Sequence, residues 1–206
     1  MKSDAIAFGI AGICFGLIAG WVIGSQQAAS RPAIATPQSA QAADQPAGGG
    51  STRAAVLDEA QVKALTSVAE RDPRNPKPRI DLANLYFDAD RYDDAIKWYE
   101  QARALAPNDV NVSTDLGVAY YYTNQADKAL AQFDKSLALD PKHVKTLLNV
   151  GIVRAFGKQD LKGATESWQK VIELAPGSPE AQAARRALDS LQSAHPGMTG
   201  GAKPGS

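Results

Sequence analysis

Hydrophobic positions fall into three regimes along the chain. The first is continuous: Ala5 to Gly24 (AIAFGIAGICFGLIAGWVIG) is a run of 20 residues without a charge. At about 1.5 Å of helical rise per residue, such a run reaches about 30 Å, the hydrocarbon thickness of a bilayer. The second regime, Ser25 to Val56, has no hydrophobic period. Of its 32 residues, 25 are Ala, Gln, Ser, Pro or Gly and none is aromatic, so it has too little apolar surface to offset chain entropy and is expected to be a disordered tether. In the third, Leu57 to Gln192, apolar positions recur at i, i+3 and i+4 between polar breaks such as Asp88-Ala89-Asp90-Arg91 and Thr123-Asn124-Gln125. That spacing predicts amphipathic helices joined by short turns. Residues 193–206, with His195, read as an unstructured tail.

The helical region repeats itself. Ala104-Leu105-Ala106-Pro107, Ala138-Leu139-Asp140-Pro141 and Glu173-Leu174-Ala175-Pro176 place prolines 34 and 35 residues apart. Behind each lies one skeleton: Leu82, Ala83, Tyr86, Ala95, Tyr99 and Ala102; then Leu116, Gly117, Tyr120, Ala129, Phe133 and Ser136; then Val150, Gly151, Ala164, Trp168 and Val171. The third copy carries one extra residue around Lys158-Gln159-Asp160, and Arg154 stands where the others have tyrosine. Looser packing is expected there, with the Arg154 head in water or reaching a partner. Small residues let paired helices touch, large ones fill the gap, and each proline ends a helix. A single hairpin cannot bury its own apolar face, so the copies must stack.

This skeleton, over Pro76 to Pro176, resembles the tetratricopeptide repeat (TPR). The resemblance implies an all-α solenoid of three hairpins at about 76–109, 110–143 and 144–178. Capping helices are expected at 57–71 and 179–192, the latter with Ser178 as N-cap and Pro179 at its first position. It also implies a concave peptide-binding groove lined by the first helix of each pair. Carried onto this chain, the groove residues are Ile80, Asn84, Phe87 and Asp88; Asn111, Thr114, Val118, Tyr121 and Tyr122; Lys145, Leu148, Asn149, Ile152 and Phe156. Tyr120-Tyr121-Tyr122 is the most distinctive stretch. Tyr120 is expected in the inter-helix core, while Tyr121 and Tyr122 either face the groove or pack on the next unit. TPR domains that grip a chaperone's terminal carboxylate use Lys, Asn and Arg. Asn84, Lys145 and Asn149 suit that arrangement, whereas Ile80 and Asp115 do not.

The 20-residue run is expected to stay as a single-pass anchor. A cleaved signal has an apolar core of roughly 7–15 residues closely followed by a cleavage site, and here the nearest AxA-like triplet, Ala33-Ile34-Ala35, comes about ten residues late. Lys2 in the head, residues 1–4, puts that end in the cytoplasm and the repeats outside. Gly12, Gly16, Gly20 and Gly24 form a ridge suited to membrane-helix pairing, either with a second copy in a homo-oligomer or with a partner protein.

Composition narrows the chemistry. The chain has 22 basic and 22 acidic residues, so a nucleic-acid partner is not expected. One cysteine, Cys14, and two histidines, His143 and His195, leave no disulfide, cofactor or metal site and little acid–base material. The stretch from Asp88 to Asp94 lacks the glycine and glutamate of a calcium loop. No enzyme is expected. The layout of span, tether and repeats, with Ser113-Thr114-Asp115-Leu116-Gly117-Val118-Ala119-Tyr120, resembles the TPR proteins grouped with c-type cytochrome biogenesis. That resemblance implies an inner-membrane scaffold facing a bacterial periplasm, with apocytochrome or another envelope protein as partner. The alternatives are a general envelope assembly scaffold and a self-assembling platform.

Overall fold

The computed structural model describes residues 56–195. The expected head, membrane span, glycine ridge and most of the tether lie outside these residues, as does the tail from 196 onward. No helix among the described residues is long and apolar enough to cross a membrane.

The described chain is all-helical: α1 (Glu59–Arg71), α2 (Lys77–Asp88), α3 (Tyr92–Leu105), α4 (Val110–Tyr122), α5 (Ala126–Leu139), α6 (Val144–Ile152), α7 (Leu161–Leu174) and α8 (Pro179–Ala194). A π-helical turn, Val153–Gly157, extends α6. Caps set several boundaries. Asp58 Oδ1 accepts from the Ala60 and Gln61 amides at the start of α1, and Asp109 Oδ1 from Asn111 and Val112 at the start of α4. Ser178 Oγ accepts from Ala181 N at 3.0 Å, with Pro179 opening α8. This last helix runs to Ala194, so Ser193 and Ala194 are helical rather than part of the tail. Its final residues include no glycine or proline before Pro196 that would stop it sooner.

Neighbouring helices pack pairwise along the chain. First helices also meet first helices, α4 on α6 and α6 on α8, so α2, α4, α6 and α8 make one layer. The hairpin interior repeats a small-against-large contact. Ala83, Ala95 and Tyr99 are at most 3% exposed in the first unit. In the second, a side-chain carbon on Gly117 would collide with the Phe133 ring, and in the third one on Gly151 would collide with the Trp168 indole. Phe133 and Trp168 are themselves sealed, and Trp168 Nε1 donates to the Leu148 carbonyl at 3.2 Å. Burying each such ring is worth about 2–3 kcal/mol. The third hairpin is therefore sealed around Trp168 as the second is around Phe133, where a looser interior was expected from the extra residue and Arg154.

The extra residue is absorbed in the π-turn. Lys158 N donates to Val153 O, a five-residue step in place of four. The turns still end alike, with one left-handed residue each: Asp90 (φ 57°), Asn124 (φ 60°) and Gln159 (φ 56°). In the first two, paired bonds close the helix end, Asp90 N to Phe87 O with Arg91 N to Tyr86 O, then Asn124 N to Tyr121 O with Gln125 N to Tyr120 O. In the third, Asp160 N reaches Arg154 O, one residue further back. Arg154 folds onto this turn: its Nη1 donates to Gly163 O at 3.4 Å, and its Nε lies 3.9 Å from Asp160.

Two outcomes follow from these contacts. Gly151→Ala should cost about 2 kcal/mol by overpacking against Trp168, read as a lower thermal midpoint by circular dichroism. Gln159→Gly should raise stability by up to about 1 kcal/mol in the same assay, because glycine pays no side-chain penalty at positive φ.

Candidate functional site

Where the first helices leave a surface open, it consists of few side chains. Ile80, Asn84 and Asp88 are half-buried on α2; Val118, Tyr121 and Tyr122 are half-buried and Asn111 exposed on α4; Lys145 on α6 is half-buried, and Phe156 in the π-turn is 40% exposed. Five of the expected groove positions are instead closed. Thr114 and Leu148 are 0% exposed, Ile152 3%, Phe87 8% and Asn149 9%. The reason is the layer itself. α6 packs against α4 and α8 as well as its hairpin partner α7, and Leu148 and Ile152 are sealed within it. Phe87 is held edge-on by Tyr92 at 5.1 Å and Tyr122 at 5.4 Å.

Thr114 belongs to a buried hydroxyl cluster that joins three helices. Its Oγ1 lies 2.8 Å from Ser136 Oγ on α5 and 2.7 Å from Thr146 Oγ1 on α6, and all three residues are 0% exposed. Ser136 Oγ donates to the Val110 carbonyl at 2.9 Å, and His143 Nδ1 lies 2.7 Å from Thr146 Oγ1. Buried hydroxyls are tolerated only when bonded, so this cluster fixes the register of the third unit on the second. Burial holds the His143 imidazole below its ordinary pKa, aided by Lys145 and opposed by Asp140, Asp115 and Glu180.

Of the donors that could grip a terminal carboxylate, Lys145 Nζ and Asn149 Nδ2 are engaged within the chain, as is the amide oxygen of Asn84. Lys145 Nζ donates to Asp115 Oδ1 at 2.7 Å, their side chains 15% and 25% exposed. Asn149 Nδ2 donates to the Lys145 carbonyl, and Asn84 Oδ1 accepts from the Tyr99 hydroxyl. Burial, with lesser help from the charges of Asp115 and Asp88, lifts the Tyr99 phenol well above its usual range.

The three consecutive tyrosines point to three different neighbours, as residues about 100° apart on a helix must. The Tyr120 hydroxyl donates to Glu100 Oε1 on α3, with Lys128 Nζ 5.5 Å from its ring centre. Tyr121 looks forward, packing on the cluster of Phe133 and Val153, close to Gly157. Tyr122 looks backward and stacks on Tyr92, centroids 4.6 Å apart and planes 22° apart. Burial pushes both phenols up to about 12. Tyr121 packs on the following unit, as one of the two expectations had it, whereas Tyr122 packs on the preceding one; both stay half-buried.

A cleft of about 510 Å³ opens between the first two turns, beside Tyr92 and Tyr122, where no site was expected. Asp90, Arg91, Asp93, Asp94, Thr123 and Gln125 complete its wall. The Tyr92 hydroxyl donates to Asp90 Oδ1, while Asp94 accepts from Lys97 and Arg91, which hold its carboxyl below the usual range. Among the described residues, no cluster of His, Cys, Asp and Glu could hold a metal ion.

Comparison with known proteins agrees with the geometry. Residues 78–142 match the family model described as tetratricopeptide repeat. No curated protein sequence matches. Among solved structures, the chain resembles "Crystal structure of MamA" at 22% identity and a TM-score of 0.55, covering 63% of this chain and 76% of that one. It also resembles "First TPR of Spaghetti (RPAP3) bound to HSP90 peptide SRMEEVD" at 24% identity and TM-score 0.52, covering 57% and 95%. An Arabidopsis OM64 TPR domain aligns at 19% identity and TM-score 0.51, covering 56% and 95%. At these identities the likeness establishes a TPR fold.

The lowered His143 pKa gives a pH signature. A depressed folded-state pKa means that the unfolded chain takes up the proton first, so the stability that neutral His143 contributes is present above 6.5 and lost as pH falls below it. Denaturant unfolding at pH 7.5 and pH 5.5 should show a loss for the parent protein that His143→Asn lacks.

Proposed function

We propose that this array of tetratricopeptide repeats is a non-catalytic scaffold that holds an extended segment of a partner protein against the face of its first helices. The observation that carries this reading is the residual surface on α2, α4 and the π-turn. There, amides, carboxylates and aromatic edges (Asn84, Asn111, Asp115, Tyr121, Tyr122 and Phe156) remain partly open above a sealed core. Amides bond an extended backbone, and aromatic edges accept apolar side chains at low entropic cost. The RPAP3 domain of the same fold is bound to an HSP90 peptide, which supports a peptide as the kind of ligand. A terminal-carboxylate grip of that sort is disfavoured here, since Asp115 already neutralises Lys145.

The apolar run Ala5 to Gly24 supports a single-pass anchor, with the Ser25–Val56 tether carrying the repeats on the periplasmic side of a bacterial inner membrane. Within that setting, holding apocytochrome for haem ligation is the narrower reading, supported by the layout of span, tether and repeats. A general envelope assembly scaffold is the broader one.

A photo-crosslinking residue placed at Asn111 in the full chain, expressed in its native host, should capture a discrete partner segment. The same residue at Gln101, exposed on α3 in the other layer, should not. Equal capture at both positions would remove the groove from the account.

A further inference from the structure

The repeats can be compared with one another, and one junction differs. Asp93 and Asp127 hold the same place in successive units, each one residue into the first turn of the second helix and 34 residues apart. At the junction of the second and third units, Asp127 is met by a cation: Lys158 Nζ, from the following turn, lies 2.7 Å from its Oδ1. At the junction of the first and second units, the residue 35 before Lys158 is Thr123, which carries no charge. The Asp93 carboxylate has no hydrogen-bond or ion-pair partner among the described residues, and the 510 Å³ cleft lies between Asp93 and Thr123.

Charge in the cleft is unbalanced. Arg91 is bound to Asp94, which also takes Lys97. Asp90 receives only the Tyr92 hydroxyl, so Asp90 and Asp93 have no cation of their own. The stacked Tyr92 and Tyr122 rings form a flat aromatic wall beside them. Aromatic faces attract cations, and this chain uses that contact at two other tyrosines: Arg91 sits 5.2 Å from the Tyr86 ring centre and Lys128 5.5 Å from that of Tyr120. Asp93 and Asp94 also complement the helix dipole of α3. Asp127 does the same for α5 and still binds Lys158, so the dipole role and the cation role are compatible.

We infer that the cleft between the first two turns receives a lysine side chain of the bound partner, its ammonium on Asp93 and Asp90 in the place that Lys158 fills one repeat later. The inference rests on the proposed function only in taking the partner to be a protein segment. It adds a selectivity: the partner must bear a basic residue where it leaves the first-helix face and passes the turns.

The test uses the full 206-residue chain, labelled with nitrogen-15, and the blocked tripeptide acetyl-Ala-Lys-Ala-amide. Amide signals of Asp93, Thr123 and Gln125 should shift and saturate with a Kd on the order of millimolar. The norleucine counterpart, equal in length but uncharged, should leave them in place. Asp93→Asn should weaken the lysine peptide about threefold, in keeping with a solvent-exposed ion pair. Thr123→Lys, which supplies the cation from within, should abolish the shifts. Asp90→Asn replaces Asp93→Asn should the latter lose its helical circular dichroism. Equal shifts with norleucine, no shifts, or a Kd unchanged in both Asp93→Asn and Thr123→Lys would overturn the assignment. Crosslinking at Asn111 separates this from the groove reading. If it persists while the tripeptide fails, the cleft assignment alone falls; if the tripeptide binds while crosslinking fails, the groove alone does.

Discussion

The contact on which everything else depends is a small residue beside an aromatic ring in each hairpin, bare glycine backbone in the second and third. Gly117 meets Phe133, Gly151 meets Trp168, and Ala83 with Ala95 leaves room for Tyr99. This contact brings paired helices close enough to shed water, which is where most of the apolar burial comes from. It also sets the tilt of each pair, and so decides which residues of the first helices remain on the surface. Even the Trp168 indole N–H, a polar atom sunk in the core, is satisfied by the backbone it presses on.

Much of this was legible in the amino-acid order because the contacts are nearly all local. A hairpin touches itself and its neighbours, so the pattern of small and large residues returns every 34 or 35 positions and announces the fold. The caps at Ser178 and Pro179 could be read as well, since the side chain and the orphaned amides lie within one turn. What escaped were features that need two units at once. Thr114 looks like a surface hydroxyl until Ser136 and Thr146 are known to converge on it. Leu148 and Ile152 look open until α8 is in place. The opposite facing of Tyr121 and Tyr122 likewise depends on which neighbouring unit supplies the wall.

The polar groups of the first-helix face are not idle between binding events. Lys145 rests on Asp115, Asn84 on the Tyr99 hydroxyl, and Asn149 on its own helix. At Lys145 and Asn149 a bound segment would have to exchange existing bonds rather than find vacant ones, which would lower its gain at those contacts. Such a surface discriminates through what it already satisfies as much as through what it offers.

The π-turn at Val153–Gly157 has a bearing on how the chain tolerates change. One surplus residue is taken up inside a single loop of backbone, and the left-handed step at Gln159, the proline at Pro176 and the docking of α8 all resume their places afterwards. The stack behaves like track laid with an expansion joint: a length mismatch ends where it arises. Insertions and deletions of this size can thus accumulate in one hairpin of the lineage while the hairpins beyond it keep their alignment.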